Sequence, residues 1–276
     1  MPSSPDPQPR TTGTDPGIGE VPLEGGVANR GLVVRVGDTV RRPQRATGAA
    51  THALLQHLQQ CGFEGAPRFL GIDEKGREVL TYVEGKAVTR PYPGWALGDD
   101  ALRSVAQLLR RYHEAAAGFD PRPHHWPPSP PPPYVGTLVT HNDPNLDNVI
   151  FRGRRAVAFI DFDLASPGSA LWDVAAAARL WSPLMAESDI RDGRGGQSLA
   201  RFRTFVDSYG AADLDPALLV DAVLANHTWL YTFIRSSAEA GNRAFRDYWQ
   251  DVAPRVDRTH RWYQVNRRAM MEALRG

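Results

Sequence analysis

His141-Asn142-Asp143-Pro144-Asn145-Leu146-Asp147-Asn148, followed by Val149-Ile150-Phe151 and then by Ala158-Phe159-Ile160-Asp161-Phe162-Asp163, is the stretch that decides the fold. A polar loop of aspartates and amides lies between two β-branched runs, 137–140 and 148–152, and a further apolar run, 156–160, ends in Asp-Phe-Asp. If the last two runs pair as a hairpin, both loop ends meet at one edge and Asp143, Asn148, Asp161 and Asp163 cluster. All four are oxygen donors with no cysteine near them, a set that suits Mg²⁺ better than zinc. Mg²⁺ held by one carboxylate and one amide keeps positions for water and phosphate oxygens, the arrangement used with nucleotides. An Asx-rich turn that only caps backbone groups accounts for one such loop, but it does not require the spacing twice.

Working outward, the chain divides into unlike halves. Residues 1–17 hold five prolines and many small polar residues and read as a disordered leader. Residues 18–84 alternate short β-branched runs with turns, Gly37-Asp38 and Asp73-Glu74-Lys75-Gly76 among them, around one helix from Ala49 to Gln60. Residues 85–276 are mostly helical: 100–117 carries an amphipathic stripe, and 171–181, 197–209, 216–238 and 242–274 all read as helices. Pro127 to Pro133 is proline except for Ser129 and reads as a stiff connector, with an SH3-type ligand as the alternative. The result is an α+β chain with a small antiparallel β-rich lobe, a larger helical lobe and a cleft between them.

Composition narrows the partners. Thirty-two basic residues against 31 acidic give a net charge of +1, which argues against nucleic acid as a partner. No apolar run reads as a membrane span and the N-terminus lacks the apolar core of a signal peptide, so no membrane role and a cytoplasmic location are expected. A single cysteine, Cys61, fits a reducing compartment. No obligate protein partner is evident.

The spacing H-x-D-x-x-x-x-N, an apolar strand and then I-D-F-D resembles the catalytic and metal loops of the protein-kinase-like fold, most closely those of the aminoglycoside phosphotransferase and choline kinase-like family. Asp163-Leu-Ala-Ser-Pro-Gly168 and Leu171-Trp-Asp173 strengthen that resemblance. It implies a two-lobed kinase that moves the γ-phosphoryl group of ATP or GTP to a hydroxyl of an antibiotic, amino sugar or similar metabolite. By the same resemblance Asp143 is the base, and Asn148, Asp161 and Asp163 serve Mg²⁺. The turn holding Gly25, Gly26 and Asn29 would cover the phosphates, and main-chain groups at Tyr82 and Val83 would read the base. Asp173 reads as a helix N-terminal charge or a clamp on the catalytic loop, and His141 as a packing element.

Two departures stand out. The family's phosphate-gripping lysine is missing; Arg41 is the expected replacement, with Arg42 on the opposite face of the strand as the fallback. The helix that normally offers a glutamate to that cation has no acid, with Thr51 and His52 in its place. These departures motivate one alternative, a catalytically impaired nucleotide- or small-molecule-binding protein; a second is a Mg²⁺-dependent phosphohydrolase that uses the same carboxylates. Glu187, Asp189 and Asp192 are further candidates for touching the acceptor.

Overall fold

The computed structural model describes residues 19–23, 31–210 and 214–276. The expected leader and the Gly25, Gly26 and Asn29 turn lie outside the described residues.

Strands β1 (Val21–Pro22), β2 (Val34–Val36), β3 (Thr39–Pro43), β4 (Phe69–Ile72) and β5 (Arg77–Thr81) form one antiparallel sheet in the order β1-β2-β3-β5-β4. Gly37, at φ +58°, makes the tight β2–β3 turn that a side chain would resist. Between β3 and β4 runs helix α1 (Gly48–Gln60), which buries Leu54, Leu55 and Leu58. Cross-strand register sets Arg42 directly opposite Glu78, a pairing that matters for the site.

The chain leaves this sheet through Gly85, whose φ of +146° favours glycine. A Cβ there would lie 2.5 Å from Ile150 Cγ2 and 2.6 Å from the Phe151 carbonyl oxygen, so the crossing is packed directly on the second lobe. Strand β6 (Lys86–Ala87) follows. After it, helix α2 (Asp99–Ala116) forms the centre of the larger lobe, with Leu102, Val105, Leu109 and Tyr112 fully buried. Strands β7 (Leu138–Thr140), β8 (Val149–Arg152), β9 (Arg155–Phe159) and β10 (Ser166–Gly168) make two small sheets, β6-β8-β9 and β7-β10. Their apolar faces rest on α2.

Helices α3 (Ala170–Trp181), α4 (Ser198–Tyr209), α5 (Pro216–Glu239) and α6 (Arg243–Arg275) complete the chain. Ser169 caps α3 by accepting from the Trp172 amide, and Asp215 caps α5 ahead of Pro216. Helix α5 is long and apolar enough to cross a membrane by length and composition, contrary to the expectation that no segment reaches that measure. It is packed against α3 and α6 with Leu219, Val220, Val223 and Ile234 buried, and it also buries the polar Asn226 and His227. The proline run is built into the larger lobe: Pro130 is buried and the Trp229 indole donates to the Ser129 carbonyl, which is the connector reading.

Candidate active site

The loop after β7 is fastened to α3 by three side chains. The Asp173 carboxylate accepts from the backbone amides of His141 (2.8 Å) and Asn142 (2.9 Å) and meets His113 Nε2 at 3.0 Å. Burial opposes its charge, but the His113 contact and these amides hold Asp173 below the usual carboxylate range. The Trp172 indole donates to Asn142 Oδ1 at 2.8 Å and the Trp181 indole to the Pro144 carbonyl at 2.8 Å. Asp173 is therefore a clamp. Asn142 takes a left-handed φ of +65°, a conformation that an asparagine tolerates better than most residues and that these bonds hold in place.

His141 is fully buried, packs against Phe159 and Phe162, and bridges to the Ile160 carbonyl through Nε2 at 3.0 Å. With Nε2 as donor, Nδ1 accepts from the Asp143 amide at 3.4 Å. It is a packing element of the loop.

Asp143 stands at the tip. Its Oδ2 accepts from Asn148 Nδ2 at 3.0 Å and its Oδ1 from Asn145 Nδ2 at 3.0 Å. Burial, joined by the charges of Asp161 and Asp147, pushes its carboxyl up to about 7. A carboxyl with that proton affinity is suited to taking the proton of an attacking hydroxyl. Asn148 Nδ2 also donates to the Asp143 carbonyl at 2.9 Å, so both of its hydrogens are spent on the loop and its Oδ1 is left for another partner.

Asp161, at φ +61°, lines the same cavity as Asn148. Burial opposes its charge, but Arg42 and a hydrogen bond from Asp163 keep it below the usual carboxylate range. One amide oxygen and one ionised carboxylate fit a hard divalent cation such as Mg²⁺. Among the described residues no group of three His, Cys, Asp or Glu side chains could hold a metal ion. Asp163, expected as a third ligand, is placed differently: it pairs with Arg42 at 3.0 Å and with Arg45, and it does not line the cavity.

The expected arginine is displaced by one position. Arg41 faces Asp73, 3.6 Å away, on the far side of β3. Arg42 points into the cleft, where it meets Glu78, Asp161 (3.1 Å) and Asp163 (3.0 Å). Burial works against its charge, but these three acids raise its proton affinity further. The acid absent from α1 is supplied by the sheet: Glu78 sits opposite Arg42, and His52 of α1 meets Glu78 Oε2 at 2.8 Å while stacking on Phe69. Neither Glu78 nor this role for His52 was foreseen, because the partner comes from a different element than the family pattern prescribes.

A cavity of about 310 Å³ lies between the lobes. Leu23, Val33, Val40, Leu80, Ile150 and Ile160 wall its apolar part, and Arg42, Asn148 and Asp161 line it as well. Tyr82 and Val83 also line it. The Tyr82 amide is committed to the Asp38 carbonyl at 2.8 Å, and its ring carries Arg35 at 3.6 Å, so it has no N–H to offer a base. The acids expected near the acceptor are paired elsewhere: Glu187 with the Gly196 amide, Asp189 with Arg258, and Asp192 with Arg194.

Over residues 122–205 the chain matches the phosphotransferase enzyme family. A trifolitoxin immunity protein of Rhizobium leguminosarum bv. trifolii is 30% identical over 221 residues, covering 74% of this chain and 79% of that protein. Among solved structures, a choline/ethanolamine kinase family protein from Mesorhizobium loti superposes with a TM-score of 0.65 at 17% identity, covering 95% of this chain and 94% of its own. A wild-type aminoglycoside 2'-phosphotransferase in complex with GDP gives 0.59 at 15% identity, covering 91% and 95%. These likenesses establish the two-lobed kinase-like fold.

Proposed function

The chain belongs to the phosphotransferase enzyme family, and from that premise we propose that it transfers the γ-phosphoryl group of ATP or GTP to a hydroxyl of a small molecule. The observation that carries this reading is one cavity that joins an apolar slot to Arg42, Asn148 and Asp161. Apolar walls with few placed polar groups are the usual form of a nucleotide site.

The base would enter between Val40, Leu80 and Ile150, with hydrogen bonding left to the Tyr82 carbonyl and Val83. Mg²⁺, held by Asn148 Oδ1 and Asp161, would neutralise the triphosphate. Arg42 would exchange part of its pairing with Asp161 for phosphate oxygens, while Glu78 and His52 keep its guanidinium aimed. Asp143 orients the acceptor hydroxyl. As the acceptor oxygen bonds to the γ-phosphorus, the bond to the β,γ-bridging oxygen breaks, the hydroxyl proton passes to Asp143 and a nucleoside diphosphate leaves. Catalysis is mostly positioning and charge neutralisation.

The relative named as a toxin immunity protein supports an acceptor that is an antibiotic or similar hydroxylated metabolite, with modification as protection. The non-catalytic alternative rested on the missing lysine and glutamate, and the Arg42–Glu78 pair weakens that ground. Acceptor-dependent nucleoside diphosphate production under excess Mg²⁺ and nucleotide tests the proposal. Phosphate release that needs no acceptor would favour a phosphohydrolase instead.

A further inference from the structure

Arg179, near the end of α3, is 6% exposed, and no ion pair is formed to it among the described residues. Its Nε donates to Asn226 Oδ1 of α5 at 2.7 Å, which leaves Nη2 buried without a hydrogen-bond partner. Asn226 Nδ2 and His227 Nδ1, on the same segment of α5, are also buried and unpartnered. Arg179 Nη2 and Asn226 Nδ2, on side chains joined by that hydrogen bond, and His227 Nδ1, one residue along α5, are three buried nitrogens, one of them on a cation, and such groups are costly unless something completes them.

Their location is informative. Trp181, two residues beyond Arg179, bonds to the Pro144 carbonyl beside Asp143. Arg179 is close enough to Asp143 for its charge to act on that carboxyl, and Tyr248 of α6 lies within the fields of both. Around His227 stand the rings of Tyr231 and Tyr263, with Arg179 and His260 as the charged or titratable groups acting on it.

We propose that Arg179, Asn226 and His227 bind a carboxylate of the acceptor, so that the substrate is a hydroxy acid rather than a polycationic amino sugar. This deepens the proposed phosphotransferase reading and rests on it for the site's purpose. A carboxylate oxygen accepts from Arg179 Nη2 and Asn226 Nδ2, and the His227 ring is neutral and can present a third N–H by tautomer. The bound acid supplies the counterion that the protein withholds from Arg179. A cationic acceptor would meet Arg179 with like charge, whereas Asp189 and Asp192 of the acidic loop are already paired with arginines.

The test is a binding titration on the full chain with gluconate, pantothenate, N-acetyl-L-serine and N-acetyl-L-threonine. Each is paired with its carboxamide, and kanamycin is the cationic control. Expected is binding of at least one acid, weakened at least tenfold in its amide and in Arg179→Gln. Asn226→Asp gives Arg179 an internal counterion, so it should remain folded and lose acid binding too, which covers the case that Arg179→Gln does not fold. Acids and amides binding equally, kanamycin binding best, or no acid binding to folded protein would each overturn the proposal. Phosphoryl transfer is followed in the same samples. Acid binding without transfer removes the transferase reading and leaves the carboxylate pocket, while transfer to kanamycin, undiminished by Arg179→Gln, does the reverse.

Discussion

Arg42 and Arg41 are adjacent and chemically identical, yet only one faces the cleft. Removing Arg42 should therefore weaken triphosphate binding by about tenfold or more while leaving adenosine affinity within a factor of two, the loss of one charge-assisted contact. Arg41→Ala should change neither; equal losses from both substitutions would contradict the placement. Asp143→Asn should retain nucleotide affinity and lower turnover by roughly 10²–10⁴, the range for a lost general base. Turnover within a factor of a few of wild type would remove Asp143 from the mechanism. His227 gives a pH signature of its own. Burial, with Arg179 and His260 adding to it, pushes its imidazole down to about 3. Unfolded, it titrates near 6.5, so the unfolded chain binds the proton that the folded chain refuses. The contribution of the neutral ring is complete above about pH 6.5 and falls by up to about 1.4 kcal/mol per pH unit as pH drops toward 3. In His227→Gln, the stability lost between pH 7 and pH 5 should be smaller than in wild type by about 2 kcal/mol in all, because the full slope applies only below about pH 6.5; an unchanged loss would contradict it.

At the scale of elements, α3 is the part that holds the loop after β7 in place. Trp172, Asp173 and Trp181 all bond to residues 141–144, so a helix carries the geometry that a loop of this polarity could not keep alone. Asp173→Asn removes the charge and turns one of the two carboxylate oxygens into a donor facing a backbone amide, and it should cost about 3 kcal/mol of stability, read as a lowered denaturant midpoint. Loss below about 0.5 kcal/mol would mean that the loop holds itself. Much of this element was readable in advance, because the spacing from His141 to Asp163 and the Trp172-Asp173 pair are local patterns. What could not be read depends on contacts between distant segments. Strand alternation put Arg41 and Arg42 on opposite faces, but which face met the cleft was set by the pairing of β3 with β5. Glu78 became the partner of Arg42 through that same register. The Arg179–Asn226–His227 group exists only because α3 packs on α5. Asp163 followed the local motif and was still drawn off by Arg42 and Arg45.

For the whole molecule, the lobes are joined at the packed crossing at Gly85 and by the ion pairs from Arg42 and Arg45 of the small lobe to Asp161 and Asp163 of the larger one. Gly85→Ala would force a Cβ onto the Phe151 carbonyl at a left-handed φ, and it should lower stability by about 2 kcal/mol. The cavity between the lobes is bounded by both, so a nucleotide bound there should stabilise them together. The most direct test is the thermal midpoint of wild type and Asp161→Ala, each against its own ligand-free value, with ATP or GTP and with or without Mg²⁺. A ligand at about 100 times its dissociation constant contributes roughly 2.7 kcal/mol, and each kcal/mol moves the midpoint of a domain of this size by about 2–4 °C. The account predicts a shift of several degrees that needs Mg²⁺ and is absent in Asp161→Ala. No shift with either nucleotide, or a shift that Asp161→Ala retains in full, would contradict it.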